Sequence, residues 1–197
     1  MAARVRMNAV CLALATLGQS PVMWHAGTDI LRSKSLDRNS YNSGDWFNYL
    51  DFTMTDNGFA AGLPPERDNA QAWHVLAPLL ADPRLKPSPN DIRRAHAQAL
   101  DLLRLRASTR LFRLGSAARV RAKVSFPASN SWHQLPGVVA MAVDDRTDPV
   151  DERWSGLLLV VNATPWLVRQ VLPMDLAGFR LHPVQQSGAD EMVRGAE

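Results

Sequence analysis

The sequence predicts an α/β segment followed by an all-β segment, and three patterns indicate this order. Apolar residues near the N terminus recur at helical spacing, and the short apolar run of residues 21–27 follows them as a brief buried strand. A second, capped helix begins near Ser88. Beyond Gly115, apolar and polar residues alternate with the period of a β-strand.

The composition is that of an ordinary folded protein. The 197 residues are 46% hydrophobic and 21% charged, which fits one domain or two small ones and excludes a disordered chain or a fibre. Cys11 is the single cysteine, so an internal disulfide framework is excluded. The histidines lack the spacing of three or four residues that aims two imidazoles at one ion, and we expect no metal site. They are His25, His74, His96, His133 and His182.

The first apolar segment has two interpretations. Arg4 and Arg6 precede an apolar run, as in a secretory signal, but no small-x-small cleavage site follows it cleanly. Helical spacing favours a buried helix over residues 4–17, with one apolar face. That face consists of Met7, Val10, Cys11, Leu14 and Leu17. We expect no convincing signal peptide, and no segment reaches the roughly 20 apolar residues of a membrane span.

Residues 32–67 show no sustained periodicity. They contain many Ser, Asn, Asp and Gly residues with aromatic residues among them, which predicts a long structured loop. Loops of this length in compact proteins usually carry function.

The second helix has a clear start signal. Ser88 is the predicted N-cap, Pro89 takes the first helical position and Asp91 the third, and the helix extends to about residue 107. Its apolar stripe consists of Ile92, Ala95, Ala99, Leu102 and Leu103.

The remainder of the chain is predicted to be β. Val120, Ala122, Val124 and Phe126 alternate with polar residues over 119–126, which predicts a strand. Further strand-like runs, separated by turn-rich stretches, lie at residues 138–143, 157–161, 166–172 and 179–181. Several short strands at this spacing are typical of a small sandwich.

The net charge of +3 raises the question of nucleic-acid binding. Arginines concentrate between Arg93 and Lys123, but no ladder of aromatic residues and no reading motif accompanies them. Arg119, Arg121 and Lys123 occupy alternate positions, as on the solvated face of a strand. We therefore expect no nucleic-acid partner.

The most specific pattern is residues 25–48, HAGTDILRSKSLDRNSYNSGDWFN. It resembles the stretch that follows the last barrel strand in pullulanases and limit dextrinases, the pullulanase-type α-1,6-glucosidases of the α-amylase superfamily. Further matches follow in the family's order and cover essentially the whole chain, which makes this a specific resemblance to the family's C-terminal part. They are GLPP at 62–65, DN at 68–69, LADP at 80–83, LLRLR at 102–106, LFRL at 111–114, VNATP at 161–165 and LHPVQ at 181–185.

The resemblance implies an architecture of two parts. Residues 1–112 are expected to form the last helix–strand–helix portion of a (β/α)8 barrel, with residues 4–17 as its seventh helix and 22–26 as its eighth strand. Residues 113–197 are expected to form a C-terminal antiparallel β-sandwich domain, incomplete because the chain ends at Glu197 in a polar stretch. In such barrels the active site lies at the C-terminal ends of the strands, so the loop after His25 is expected on the sugar-binding face.

On this face the resemblance implies substrate-binding residues. Sugar hydroxyls need paired donors and acceptors, and flat sugar faces pack on aromatic rings. The candidates are Asp37, Arg38, Asn39, Tyr41, Asp45 and Trp46. A structural interpretation stays open, because Asp37 and Arg38 can pair or cap the loop, and Trp46 with Phe47 can plug it to the barrel. His25 is interpreted as a hydrogen-bonded core residue and Asp29 as a loop anchor.

The implied chemistry is retaining hydrolysis of an α-1,6-glucosidic bond by an aspartate nucleophile and a glutamic acid/base. No family motif carrying these residues occurs in this sequence, so no catalytic residue is assigned and we expect the chain alone to be inactive. The implied partner is an α-glucan, pullulan or limit dextrin, bound through a parent enzyme. No cofactor is expected in this chain, whereas calcium and secretion are options for the parent. The alternative is a non-catalytic module that binds glucan or a partner subunit.

Overall fold

The computed structural model describes residues 1–196 as two compact units. The first contains Met1–Asn8 and Trp24–Ala97, and the second contains Ala9–Met23 and the chain from Gln98 onward. Glu197, at which the predicted incomplete sandwich ends, lies outside the described residues. The helices are α1 (Ala2–Thr16), α2 (Asp45–Asn48), α3 (Glu66–Asn69), α4 (Trp73–Ala81), α5 (Pro89–Ser108), α6 (Ala117–Lys123), α7 (Pro183–Gln186) and α8 (Glu191–Arg194), and the strands are β1 (Val124–Ser125), β2 (Val138–Asp144) and β3 (Gly156–Asn162).

The helix α1 is formed as predicted, but its predicted buried face is wrong at three of five positions. Met7, Cys11 and Leu14 are exposed, whereas Leu17 is buried as predicted and Val10 is half-buried. Val5 and Leu12, which lie outside the predicted face, are buried. Apolar residues occur on every side of this helix, so its sequence spacing fits more than one face. Within the described residues, no helix combines the length and the apolar character that a bilayer crossing requires.

The predicted strand at residues 22–26 is not formed. Residues 21–25 have no regular structure, and the one sheet of the described chain contains only β1, β2 and β3. A strand exists through hydrogen bonds to a neighbouring strand, and no described strand supplies them here.

The helix α5 follows its start signal. The Ser88 N–H and hydroxyl donate to the Asp91 carboxylate at 2.9 and 2.7 Å, and the Asp91 N–H donates to the Ser88 hydroxyl oxygen at 3.2 Å. This reciprocal pair satisfies backbone donors that have no partner inside the helix. Ile92 and Ala95 of the predicted stripe are buried, whereas Leu103 is exposed.

The predicted strand over residues 119–126 is wrong for most of its length. Residues 117–123 form α6, whose N-cap Ser116 accepts a hydrogen bond from the Arg119 N–H at 3.2 Å. Alanine, arginine and lysine are strong helix formers, and a window with so few large apolar residues does not separate the two periods. Only Val124 and Ser125 join the sheet, as β1.

The strands β2 and β3 confirm the predicted runs at 138–143 and 157–161. They pair antiparallel, with Val138 opposite Asn162 and Val143 opposite Leu157, and β1 pairs antiparallel with the other edge of β2. The structure is therefore a small α/β fold with one three-stranded antiparallel sheet.

The predicted strands at 166–172 and 179–181 are not formed in the described chain. Side chains satisfy backbone groups here instead of a ladder. The Asn162 Nδ2 donates to the Trp166 carbonyl oxygen at 2.8 Å, and the Gln170 Nε2 donates to the His133 carbonyl oxygen at 2.9 Å. The described residues consequently contain no second sheet.

The second unit has two buried apolar clusters, and both contact β3. Leu111, Leu114, Met141 and Val143 form one cluster. Leu17, Leu105 and Phe112 form the other. Leu157 and Leu159 of β3 pack against both clusters, which ties α1, α5 and the sheet into one core.

A buried ion pair lies at the start of the connection between β2 and β3. The Lys123 Nζ lies 2.8 Å from an Asp145 carboxylate oxygen, and both side chains are almost fully buried. The Lys123 Nζ also donates to the Asp148 carbonyl oxygen, and the Asp145 carboxylate accepts the N–H groups of Val150 and Asp151. Burial raises the pKa of Asp145, but the hydrogen bond from Lys123 and these N–H groups outweigh it, so the pKa lies below its ordinary value.

We predict that Lys123→Met destabilises the chain by about 3 kcal/mol, because it leaves the Asp145 carboxylate buried without its cation. Urea unfolding measures the change. Arg146→Met is the matched control, since Arg146 pairs with Asp144 in an exposed ion pair and its loss is expected to be undetectable. Equal effects of the two substitutions would refute the assigned role of the buried pair.

The side chain of His182 is held as the neutral tautomer that carries its proton on Nε2. Its Nδ1 accepts the Val184 N–H at 3.2 Å, so its Nε2 donates to the Ser108 hydroxyl at 3.1 Å, and that hydroxyl donates to the Leu105 carbonyl oxygen. This direction of bonding excludes a nucleophile–base pair of Ser108 and His182. Burial, and then the nearby Arg153, lower the pKa of His182.

We predict that the free energy of unfolding falls as the pH drops from 7 to 5. A histidine whose folded pKa lies below 6.5 contributes stability above pH 6.5 and loses it as the pH falls through the folded pKa. Urea unfolding at several pH values tests this, with His182→Asn expected to flatten the profile and His74→Asn, at an exposed position, expected to leave it unchanged. An unaltered profile in His182→Asn would show that another group is responsible.

Candidate functional site

The loop after His25 belongs to the first unit and has little regular structure. Two of its glycines adopt positive φ angles at positions without room for a side chain. A Cβ at Gly27, with φ of +88°, would lie 2.5 Å from the Leu50 Cδ2. A Cβ at Gly58, with φ of +79°, would lie 2.9 Å from the Ser33 carbonyl oxygen. The loop path therefore requires glycine at both positions.

Hydrogen bonds between distant residues hold the base of the loop. The Asn57 Nδ2 donates to the Leu31 carbonyl oxygen at 2.7 Å, and the Ser33 N–H donates to the Asn57 carbonyl oxygen at 2.6 Å. The Ser35 hydroxyl donates to the Gly62 carbonyl oxygen at 2.6 Å. These bonds join the two arms of the loop where no sheet ladder does so.

Arg32 and Asn48 connect the start of the loop to α2. The Arg32 guanidinium donates to the Asn48 Oδ1 at 3.0 Å and to the Ala26 carbonyl oxygen at 3.3 Å. The Asn48 Nδ2 then donates to the carbonyl oxygens of Ser40 at 2.8 Å and Gly44 at 3.2 Å. The turn that carries residues 40–48 is thus fixed by one amide and one guanidinium.

The Asp51 carboxylate organises the far end of the loop. Asp51 accepts the hydroxyl and N–H of Thr53, the hydroxyl and N–H of Thr55, and the N–H of Asp56. The hydrogen bond from Thr53, and then those from Asp56 and Thr55, hold the pKa of Asp51 well below its ordinary value. Asp51 is therefore a structural anion.

Asp37 is buried and its carboxylate is hydrogen-bonded within the loop. Its Oδ1 accepts the Asn69 Nδ2 at 2.9 Å and the Asn39 N–H at 3.2 Å, and its Oδ2 accepts the Ser43 hydroxyl. Burial raises the pKa of Asp37, but the hydrogen bonds from Ser43, Asn69 and Asn39 outweigh it, so the pKa lies below its ordinary value. Asp37 does not pair with Arg38, and it caps the loop instead.

The other five candidates present exposed side chains on this framework. The exposed fraction is 95% for Tyr41 and 74% for Trp46. Arg38, Asn39 and Asp45 are also exposed, and within residues 1–196 their side chains make no hydrogen bond or ion pair. The structural interpretation of the aromatic pair fits Phe47, which is buried, and does not fit Trp46.

The sequence alone did not identify Asn69, Asn48 or Arg32 as residues that build this loop. The segment of residues 68–69 was one of the matching blocks, but nothing in a linear sequence indicates that Asn69 reaches Asp37, 32 positions away. The buried Asn69 amide needs hydrogen-bond partners, but its burial is visible only in the folded chain.

His25 and Asp29 lie at the start of the loop. The His25 side chain is exposed, so its interpretation as a core residue is wrong. Asp29 pairs with His96 of α5 at 2.9 Å, which is the behaviour of a loop anchor. Among the described residues, no group of three or more His, Cys, Asp or Glu side chains could hold a metal ion.

Comparison with known proteins decides the family. The model of the C-terminal region of pullulanase-type α-1,6-glucosidases matches residues 54–197. This chain belongs to that family. It is 38% identical over 198 residues to chloroplastic pullulanase 1 of Arabidopsis thaliana, covering 97% of this chain and 20% of that protein. It is 36% identical over 168 residues to the pullulanase of Klebsiella pneumoniae, covering 84% of this chain and 15% of that protein.

Solved structures of pullulanases share the fold. The crystal structure of PulA from Klebsiella oxytoca matches with a TM-score of 0.77 at 36% identity, over 84% of this chain and 16% of that one. The maltotriose complex of PulA from Klebsiella pneumoniae matches with a TM-score of 0.82 at 34% identity, over 93% of this chain and 20% of that one. The chain thus spans about a fifth or less of the pullulanases that it matches.

Proposed function

We propose that this chain is the C-terminal part of a starch- or pullulan-debranching enzyme that hydrolyses α-1,6-glucosidic bonds, and that its loop contacts the α-glucan. The observation that carries this proposal is the preformed loop, which presents a guanidinium, an amide, a carboxylate and two aromatic rings to solvent. Exposed rings beside unpaired donors and acceptors are the groups that bind sugar faces and hydroxyls.

The proposed substrate-binding residues are five of the six that the sequence predicts, without Asp37. Arg38, Asn39 and Asp45 supply hydrogen bonds, Tyr41 and Trp46 supply stacking surfaces, and the buried Asp37 orders the segment that carries them. The maltotriose complexes of Klebsiella pullulanases, to which this chain is similar, support an α-glucan as the ligand. The matched relatives are pullulanases, which favours an enzyme part over a separate binding module.

The proposed architecture is that of the parent family. Residues 1–112 complete a (β/α)8 barrel, with residues 22–26 as a strand once neighbouring strands are present, and residues 113–197 form the C-terminal β domain. The absence of ladder hydrogen bonds at residues 21–25 fits a strand whose partners belong to another part of the parent.

We further propose that the chain alone is not catalytic. Retaining hydrolysis needs one carboxylate beneath the anomeric carbon and a second carboxyl group beside the leaving oxygen, both held rigidly. The Asp37 carboxylate is occupied in ordering the loop, and Asp45 is exposed without a residue to position it. Calcium, which some family members bind, finds no group of acidic ligands among residues 1–196 and has no part in this proposal.

The purified chain is expected to release no reducing sugar from pullulan above a boiled control, because neither carboxylate role is filled. A reducing-sugar assay checks this. Turnover above the control that is abolished by Asp45→Asn would place the active site within this chain and overturn the proposal.

A chimera tests the loop assignment. We expect the pullulanase of Klebsiella pneumoniae, with its matching C-terminal segment replaced by this chain, to lose about tenfold or more in kcat/KM on pullulan when Arg38→Ala and Trp46→Ala are introduced together. The matched control is Arg119→Ala with Trp132→Ala, two exposed positions of the second unit. If both double variants retain the chimera's kcat/KM, the loop does not contact the glucan.

A further inference from the structure

Asn69 at the end of α3 is a deeply buried polar side chain that hydrogen-bonds to both arms of the loop. Its exposed fraction is 2%. Its Nδ2 donates to the Asp37 Oδ1 at 2.9 Å and to the Pro65 carbonyl oxygen at 2.9 Å, and its Oδ1 accepts the Arg38 N–H at 3.2 Å. One amide therefore holds the side chain of one loop residue and the backbone of the next.

Asp37 connects Asn69 to two further residues of the loop. Besides the Asn69 amide, its carboxylate accepts the Asn39 N–H and the Ser43 hydroxyl. The carboxylate thus holds the Asn39 backbone before the turn at Ser40–Asn42 and the Ser43 side chain after it, and this turn carries Tyr41. Three of its roughly four acceptor positions are used and it is nearly buried, so little of it remains for a sugar hydroxyl.

We propose that Asn69 and Asp37 form a positioning pair that sets the conformation of Arg38, Asn39 and Tyr41 for glucan binding. Neither residue acts as a ligand. The inference rests on the proposed function, because it assumes that these three residues contact the sugar. Ordering a flexible loop on binding costs free energy. A pair that orders the loop beforehand removes this cost and so strengthens glucan binding.

The chemistry of the pair is specific to an amide facing a carboxylate. Asn69 must donate to the Asp37 carboxylate and accept from the Arg38 N–H at the same time, which alanine cannot do and aspartate can do only in part. Asn69→Asp would place two carboxylates against each other, and such a pair shares one proton at low pH. The substitution therefore makes glucan binding depend on pH, which simple loss of packing would not do.

The test measures maltotriose binding to the full 197-residue chain. The readout is the chemical shift of the Trp46 indole N–H during titration with the sugar. We expect Asn69→Asp to weaken binding about tenfold at pH 7 and to recover part of the loss at pH 5, while the wild type changes little over this range. The exchanged pair, Asn69→Asp with Asp37→Asn, is expected to bind more tightly at pH 7 than Asn69→Asp alone. Ser43→Ala, which removes one hydrogen bond to Asp37, is the milder variant and should weaken binding less.

Asn90→Ala is the matched control, because Asn90 lies exposed in the first turn of α5 and accepts a hydrogen bond from the exposed Arg93. The proposal is overturned if Arg38→Ala weakens binding while Asn69→Asp does not, or if the loss in Asn69→Asp is independent of pH and unchanged in the exchanged pair. Unchanged maltotriose binding in Arg38→Ala would instead refute the proposed function, and the positioning role with it.

Discussion

Hydrogen bonding of the backbone to a few buried polar side chains is the constraint on which the first unit depends. A loop of this length leaves many N–H and C=O groups outside any helix or sheet, and such groups are costly to bury without partners. Asn57, Asp37 and Asp51 of the loop and Asn69 of α3 supply those partners. Because these four side chains face inward, the exposed positions between them are free to carry binding chemistry.

The second unit is stabilised mainly by apolar packing rather than by buried polar side chains. Its core is apolar, formed around Leu157 and Leu159 of β3. The connection from β2 to β3, in contrast, closes over the ion pair of Lys123 and Asp145. Burying two charges costs free energy that their attraction only partly returns, so the value of the pair lies in fixing one conformation of the connection.

The sequence predicted those elements whose signals are local and redundant. The helix α5 carries a reciprocal cap, and β2 and β3 are runs of large apolar residues bounded by turns. The strand predicted over the residues of α6 was wrong because Ala, Arg and Lys fit a helix as well as they fit an alternating pattern. The buried face of α1 was mostly wrong because apolar residues occur on every side of the helix. The strands predicted at 166–172 and 179–181 were wrong because side chains such as Asn162 and Gln170 bond backbone groups after β3.

The sequence likewise predicted only part of the candidate site. Composition singled out the loop, and the family resemblance, which comparison confirmed, indicated its aromatic residues as candidates. The role of Asp37 could not be derived, because it depends on Asn69 and Ser43 at positions that only the folded loop brings together. Exposure separates Trp46 from the buried Phe47 next to it, and no periodicity in the loop could have done so.

The most direct measurement is a crystal structure of the Klebsiella pneumoniae chimera soaked with maltotriose. We expect a glucose ring to pack against the Trp46 or Tyr41 ring, with sugar hydroxyls hydrogen-bonded to Arg38 or Asn39 at about 3 Å and Asp37 still bonded to Asn69. Maltotriose bound in the active site without contact to any residue of this loop would contradict the placement of the loop on the sugar face.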